Sequence, residues 1–213
     1  MFEFQLLKKC GKRPQILEQD DGGQKKALKA IKLEISPMQL GDIKEVIQIE
    51  KESFVSPWSV DVFEEQLSHL DCASYFVARV NGKVIGYAGI IFPPACLSVD
   101  TADGHNAETE GHITNIAIDK SYRRKKIGSV LLLKLIEEAQ NRGSRVISLE
   151  LRKLNTVALS FYKKFGFRIF GLRKDYYSDT GEDAIVMFVD NVSSADYQNR
   201  LQIIRDVIQF SEE

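Results

Sequence analysis

The order of the segments between Ile113 and Phe167 constrains the fold of this chain more than any other feature. An apolar run, ITNIAID, leads into the basic turn SYRRKKIG and then into SVLLLKLIEEAQNRG. A second apolar run, VISLELRKLN, and an aromatic run, ALSFYKKFGF, follow. Within the third segment, apolar residues recur at the spacing of one helix face: Leu132, Leu135, Ile136 and Ala139. Strands that alternate with helices in this way predict a mixed domain in which helices pack against a sheet.

The basic turn is the first candidate binding site. It stands where a strand gives way to a helix, and the free backbone N–H groups of a helix start attract anions. Arginine and lysine side chains beside those groups add positive charge, so the turn predicts a phosphate site. A basic turn that only caps a surface helix is the alternative. The candidate ligands are Arg123, Arg124, Lys125, Lys126, Ile127, Gly128 and Ser129.

These segments together resemble the GNAT acetyltransferase superfamily, whose cofactor is acetyl-coenzyme A. The family holds the coenzyme pyrophosphate in a loop of the pattern Q/R-x-x-G-x-G/A. Arg123, Ile127 and Gly128 match that pattern, whereas Lys126 stands at the first glycine position. Lysine there is a departure, because glycine permits a close backbone approach and unusual dihedral angles that lysine tolerates poorly.

The resemblance implies an α+β fold with a twisted, mostly antiparallel sheet of about seven strands flanked by helices. One strand pair would splay apart and hold the arm of acetyl-coenzyme A. The first of those strands would offer backbone N–H groups to the thioester carbonyl, from Ile116, Ala117 and Ile118. Asn155 resembles the family asparagine that binds the coenzyme arm, although a helix N-cap is an equally good interpretation.

Further segments are similar to the RimI-type branch of that family, the N-terminal acetyltransferases named for ribosomal-protein alanine acetylation. They are PWS before Phe63, LELRKLN, FYKKFGF and RKDYYSDTGEDAIVM. The last resembles the hairpin with which this branch covers a peptide N-terminus. The resemblance implies a slot for a protein N-terminus, with a ribosomal protein among the candidate acceptors. Its walls would be Phe54, Pro57, Trp58, Tyr176 and Tyr177, although Trp58 also fits a partly buried core position.

Glu150 and Tyr162 are the candidate catalytic residues. A phenol with a pKa near 10 stays protonated at neutral pH, so Tyr162 can give a proton to the departing thiolate and also contact the coenzyme. An α-amine titrates near 8, so a carboxylate base only has to collect a proton. Alternation along SLELR places Glu150 on the face opposite its leucine neighbours, with Arg152 as its expected partner. A solvated strand residue and a core aromatic are the respective alternatives.

Composition agrees with one soluble enzyme domain. The 213 residues carry 29 Lys+Arg against 30 Asp+Glu, so bulk charge does not indicate a nucleic-acid-binding protein. Cys10, Cys72 and Cys96 lack any CxxC spacing, which favours a reducing interior and no zinc site. His105 and His112 flank acidic residues of a loose loop, and we expect no metal there. No run is long enough to span a membrane, so a cytoplasmic location is expected.

The chain divides into three parts. Residues 1–31 form a basic extension, interpreted as a mobile or loosely docked arm. Residues 32–190 form the acetyltransferase domain, and residues 191–213 an amphipathic C-terminal helix. A polar stretch at residues 93–111 is long for a connection between strands, so it is either functional or mobile. Monomer and homodimer both stay open.

Two other functions remain alternatives. One is the same fold acetylating a lysine side chain or a small amine, against which the double-tyrosine hairpin argues because it narrows access. The other is a non-catalytic acyl-coenzyme A or ribosome-associated module, suggested by Lys126 and the basic extension. Intact Glu150 and Tyr162 argue against it.

Overall fold

A computed structural model of the chain describes residues 15–16, 31–92 and 110–209. The strands are β1 (Gln15–Ile16), β2 (Ile31–Pro37), β3 (Ala73–Val80), β4 (Lys83–Ile91), β5 (Glu110–Ile118), β6 (Val146–Arg152), β7 (Arg168–Tyr177) and β8 (Glu182–Val189). The α-helices are α1 (Ile43–Ser53), α2 (Val60–Ser68), α3 (Ile127–Asn141), α4 (Thr156–Lys164) and α5 (Ala195–Gln209). Most of the basic extension and of the 93–111 stretch therefore lies outside the described residues.

Strands β2 to β8 form one sheet, and the two-residue β1 pairs with β2 at its edge, in the order β1-β2-β3-β4-β5-β6-β8-β7. Among the described strands, only β5 and β6 run parallel, while each other neighbouring pair is antiparallel. The predicted mixed α+β class with a mostly antiparallel sheet is confirmed.

Local sequence explains where several elements begin and end. Asn81 and Gly82 join β3 to β4 with φ angles of 51° and 83°, as a two-residue hairpin turn requires. Ser59 caps α2 by accepting a hydrogen bond from the Val62 N–H at 3.4 Å. Gly143, with φ of 77°, follows the end of α3.

The sheet has a hydrophobic core on each face. Helices α3, α4 and α5 contribute to one core, in which Leu132 and Leu135 are fully buried. Burial of each such leucine stabilises the fold by about 1.5–3 kcal/mol. Helices α1 and α2 contribute to the other core, where Val46 and Phe63 are fully buried. We call the second face the acceptor face, because Glu150, the candidate base for the acceptor amine, lies on it.

Strands β5 and β6 separate part of the way along. Their pairing ends at Ile113 and Leu149, although both strands continue, to Ile118 and Arg152. Next to this point β5 has a bulge, because Gly89 and its successor on β4 pair with β5 residues two apart. A gap therefore opens between the two strands in the middle of the sheet.

Among the described residues, no helix is both long and apolar enough to cross a membrane. They also contain no group of three or more His, Cys, Asp or Glu side chains placed to hold a metal ion.

Candidate active site

The gap between β5 and β6 brings together most of the residues that the sequence singled out. Backbone groups of a strand point alternately to its two sides. Beyond Ile113, the groups of β5 that point away from β4 therefore face the gap rather than a paired strand. These groups belong to the stretch that contains Ile116, Ala117 and Ile118. A ligand arm laid in the gap could form the hydrogen bonds of a missing strand.

The basic turn lies between β5 and α3, at one end of this gap. Arg123 donates to the Ile118 carbonyl at 3.0 Å and to Ser53 Oγ at 3.1 Å, so its guanidinium shapes the turn. Arg124 is exposed, and the Lys125 ammonium lies 5.2 Å from the centre of the Tyr122 ring. The turn thus keeps its positive charge beside the N-terminus of a long helix, an arrangement that binds anions.

Lys126 adopts a left-handed backbone conformation, which glycine tolerates better than lysine. Its φ is 59°, in the left-handed region, and its carbonyl accepts hydrogen bonds from the N–H groups of Ser129 and Val130. Its ammonium donates to the Val207 carbonyl in α5 at 2.7 Å. A Cβ added to Gly128 would lie 3.8 Å from the Phe161 ring, so the first turn of α3 packs closely on α4.

Glu150 lies on β6 with its side chain only 7% exposed. Leu149 and Leu151 are buried on the opposite face, as the alternation predicted. The carboxylate lies 3.0 Å from His112 Nε2 and 3.2 Å from the Arg173 guanidinium. The hydrogen bond from His112 lowers the pKa of Glu150, burial opposes that shift, and Arg173 adds to the lowering. The group is therefore ionised at neutral pH and held from two sides.

Arg152 is not the partner of Glu150, contrary to the expectation from the sequence. It lies 2.5 Å from Asp179 and 3.4 Å from Glu182, and its guanidinium stacks 4.1 Å from the centre of the Tyr177 ring. The end of the β7–β8 hairpin offers these two carboxylates and an aromatic face to one guanidinium. The charged partners of Glu150 instead come from β5 and β7.

His112 extends the polar group around Glu150. Its Nδ1 lies 2.9 Å from Ser148 Oγ, which donates to the Glu110 carboxylate. The sequence pattern indicated His112 only as a candidate metal ligand, and nothing in it pointed to Arg173. The apolar-polar alternation of β5 was the one available signal for His112. Its contact with Glu150 depends on the β5–β6 register, which pairs His112 with Ser148.

Tyr162 lies on α4 and is 8% exposed. Its ring centre lies 5.1 Å from that of Phe161 and 5.5 Å from that of Phe167. Burial raises the pKa of Tyr162 well above its usual value, and the nearby Tyr177 adds to the increase. The phenol therefore stays protonated, as a proton donor must. Asn155 caps α4 by accepting from the Ala158 N–H at 3.0 Å, the alternative role foreseen for it.

The two expected walls of the acceptor slot are joined by a hydrogen bond. Ser56 Oγ, between α1 and α2, donates to Asp179 at 2.7 Å in the β7–β8 turn. The rings of Tyr176 and Tyr177 meet edge to face at 5.2 Å. The other wall consists of an exposed proline, Pro57, and a half-exposed phenylalanine, Phe54.

Trp58 differs from these residues because it belongs partly to the core. Its ring lies 5.4 Å from that of Phe63 and 6.5 Å from that of Tyr75. The indole therefore anchors the loop between α1 and α2 to the core of the acceptor face.

A cavity of about 470 Å³ opens beside Glu150 on the same face. Its lining is polar near the carboxylate and aromatic further out: His112, Ser148, Arg173, Phe170, Tyr176 and Phe188. A cavity of this size holds a ligand of a few residues.

Comparison with known proteins identifies relatives of most of the chain. The profile of the acetyltransferase (GNAT) family matches residues 43–167. A Bacillus subtilis protein, provisionally named [ribosomal protein bS18]-alanine N-acetyltransferase, is 39% identical over 158 residues, which cover 74% of this chain and 95% of that protein.

Two solved structures have the same fold, and one of them is also similar in sequence. The ribosomal-protein-S18-alanine N-acetyltransferase from Escherichia coli matches with a TM-score of 0.60 and 30% identity, over 75% of this chain and 94% of that one. Arabidopsis thaliana NAA60 in complex with acetyl-CoA has a TM-score of 0.66 at 17% identity, covering 74% of this chain and 98% of that one, and shares the fold.

Proposed function

The chain belongs to the acetyltransferase (GNAT) family, and we propose that it acetylates the N-terminal α-amine of a protein, with acetyl-coenzyme A as donor. The observation that carries this proposal is the position of Glu150, buried between His112 and Arg173 at the edge of the β5–β6 gap. The similarity to bS18-alanine N-acetyltransferases favours a ribosomal protein as acceptor. A cytoplasmic location belongs to the same proposal.

The residues of the gap and the turn fit acetyl-coenzyme A. Backbone groups of Ile116–Ile118 would bind the pantetheine arm in place of a neighbouring strand. The basic turn and the first N–H groups of α3 would bind the pyrophosphate. Arg123 would act by holding the turn in shape, since its guanidinium already bonds Ile118 and Ser53. Asn155 would contribute mainly by fixing the start of α4.

The bound coenzyme supplies a thioester whose carbonyl carbon the acceptor amine attacks. A C–N bond forms, the C–S bond breaks, and one proton leaves the nitrogen. Glu150 collects that proton, directly or through one water. Its lowered pKa keeps it ionised, and a weak base suffices because the nitrogen becomes far more acidic as the C–N bond forms. His112 and Arg173 hold the carboxylate in place.

Tyr162 supplies a proton to the departing thiolate. A thiol has a pKa of about 8.5, whereas burial holds the phenol of Tyr162 above its usual value of about 10. The phenol therefore starts protonated. Backbone N–H groups of β5 that face the gap would stabilise the negative charge on the carbonyl oxygen. Such groups are commonly worth about 3 kcal/mol in acyl transfer.

The hydrogen bond between Ser56 and Asp179 supports selection of an N-terminus. It joins the Phe54–Trp58 loop to the β7–β8 turn, so an acceptor would approach Glu150 between the walls. The adjoining cavity of about 470 Å³ would hold the residues that follow the amine.

Paired peptides test the proposal. One peptide has a free N-terminus and internal lysines, and the other has the same sequence with a blocked N-terminus. Mass spectrometry should find one acetyl group on the α-amine of the first and none on the second. Lysine acetylation of the blocked peptide at a similar rate would replace the N-terminal function with side-chain or small-amine acetylation. No transfer to any amine, with coenzyme A still bound, would leave a non-catalytic binding module.

A further inference from the structure

A buried carboxylate on the acceptor face has no part in the mechanism above. Glu50, on α1, is 1% exposed. Its Oε1 accepts a hydrogen bond from the Trp58 backbone N–H at 3.0 Å, and its Oε2 accepts one from the Tyr87 hydroxyl. Tyr87 is fully buried, and its hydroxyl oxygen also interacts with the Asn115 side chain. We call Glu50, Tyr87 and Asn115 the buried chain.

The buried chain connects the two substrate sites of the proposed enzyme. At one end it holds the backbone of Trp58, which supports the loop of the proposed acceptor wall. At the other end it reaches Asn115 on β5, where the strand leaves β6. Burying a carboxylate is unfavourable unless its hydrogen bonds are supplied, and burial indeed raises the pKa of Glu50. Apolar side chains would fill this core at lower cost. The polar residues are better explained by what they hold in place.

Asn115 lies at the end of the buried chain, and its side chain has an unused hydrogen-bond acceptor. The residue is 7% exposed, and its Oδ1 is buried without a hydrogen-bond partner in the part of the chain that the structure describes. Buried carbonyl oxygens are almost always hydrogen-bonded, so a bound donor is expected. The bulge at Thr114 changes the alternation of β5 and places Asn115 on the acceptor face with His112.

We propose that the buried chain positions the acceptor, with Asn115 Oδ1 accepting a hydrogen bond from the attacking α-amine. This inference rests on the proposed function. Tyr87 orients the Asn115 amide, and Glu50 fixes Tyr87 relative to the acceptor loop. All three act on the binding of the acceptor and leave proton transfer to Glu150. An amide N–H of the coenzyme arm offers the same donor chemistry. The acceptor is favoured because Asn115 is a side chain on the acceptor face, whereas the gap offers backbone groups to the coenzyme.

Tyr87→Phe is the test variant, because it removes the link and keeps the ring that packs 5.6 Å from Phe63. Tyr75→Phe is its matched control. Tyr75 lies in the same core, is 3% exposed, and bonds Thr114 instead of Asn115. We expect kcat/KM for a peptide acceptor to fall about tenfold in Tyr87→Phe, mostly through KM of the peptide. Coenzyme A affinity in calorimetry should stay within about twofold in both variants.

Three further variants keep the test independent of folding defects. Asn115→Ala should reproduce the peptide KM defect of Tyr87→Phe. Glu50→Gln, which retains an oxygen acceptor for the Trp58 N–H, should recover most of the activity lost in Glu50→Ala. Equal acceptor kinetics in Tyr87→Phe and Tyr75→Phe would overturn the inference. So would a tenfold loss of coenzyme A affinity in Asn115→Ala with unchanged peptide KM, because it would assign the Asn115 oxygen to the coenzyme arm. Absence of peptide acetylation by the unmodified protein would refute the proposed function itself.

Discussion

Tyr162→Phe tests the proton donor with little disturbance of the fold. The phenylalanine ring can keep the contacts with Phe161 and Phe167, whose ring centres lie 5.1 Å and 5.5 Å away. No hydrogen bond of the Tyr162 hydroxyl to another described residue is observed. The substitution therefore removes one proton donor and little packing. Because a two-state domain of this size loses about 2–4 °C of Tm per kcal/mol, we expect a Tm shift below about 4 °C.

The expected kinetic effect is much larger than the effect on stability. General acid catalysis commonly contributes about 10²–10⁴ in rate, which corresponds to about 2.7–5.5 kcal/mol of activation free energy. We expect kcat to fall by that factor while coenzyme A affinity changes less than about twofold. Because burial raises the pKa of Tyr162, the phenol of the unmodified enzyme stays protonated up to about pH 10. Its rate should therefore show no alkaline loss below that pH.

Tyr197→Phe is the matched control for loss of a buried phenol. Tyr197 lies on α5 in the same hydrophobic core, its hydroxyl has no partner among the described residues, and burial raises its pKa as well. Single-turnover rates with a thioester donor and a free-N-terminus peptide would separate chemistry from product release. The reasoning is refuted if both variants lose the same rate, or if Tyr162→Phe keeps its full single-turnover rate.

Substitutions at three other positions, His112, Lys126 and Ser56, probe the remaining parts of the site. His112→Ala should raise the pKa of Glu150, because the His112 hydrogen bond is the main cause of its lowering. The acid limb of the plot of kcat/KM against pH should then move to higher pH. An unmoved limb would exclude Glu150 as the base held by His112. The lowered pKa also contributes stability at neutral pH that is lost as pH falls through the folded-state value, so acid denaturation should begin at higher pH in His112→Ala. Lys126→Gly removes the backbone cost of a left-handed lysine, about 1 kcal/mol, but also removes the hydrogen bond to the Val207 carbonyl, so the free energy of unfolding should change by less than about 1 kcal/mol. Lys126→Ala removes the hydrogen bond and keeps the backbone cost, so it should lower the free energy of unfolding by about 1 kcal/mol. Ser56→Ala should raise lysine acetylation relative to α-amine acetylation severalfold by freeing the loop from Asp179, with exposed Ser68→Ala as control; an unchanged product ratio in mass spectrometry would count against the two-wall slot.

The sequence determined the elements whose signals are local. Helix α3 forms over the segment whose apolar face is periodic, and Gly143 follows its end. The β3–β4 turn follows from Asn81-Gly82, since that pair favours positive φ angles. Strand β7, in contrast, extends from Arg168 to Tyr177 without a local signal over its whole length. Its second half is charged and exposed, so only its pairing with β8 reveals it.

Some residues of the candidate active site could be predicted from the sequence for the same reason. Glu150 and Tyr162 could be chosen from one strand and one helix, because alternation and neighbouring aromatic residues are properties of short segments. The partners of Glu150 could not be chosen in this way, since His112 and Arg173 lie on other strands, 38 and 23 residues away in the chain. Their approach depends on strand order and register, which put β6 next to both β5 and β8, with β7 beyond. Adjacent residues in a sequence share a local geometry, whereas the environment of a buried charge is decided by which distant segments fold around it.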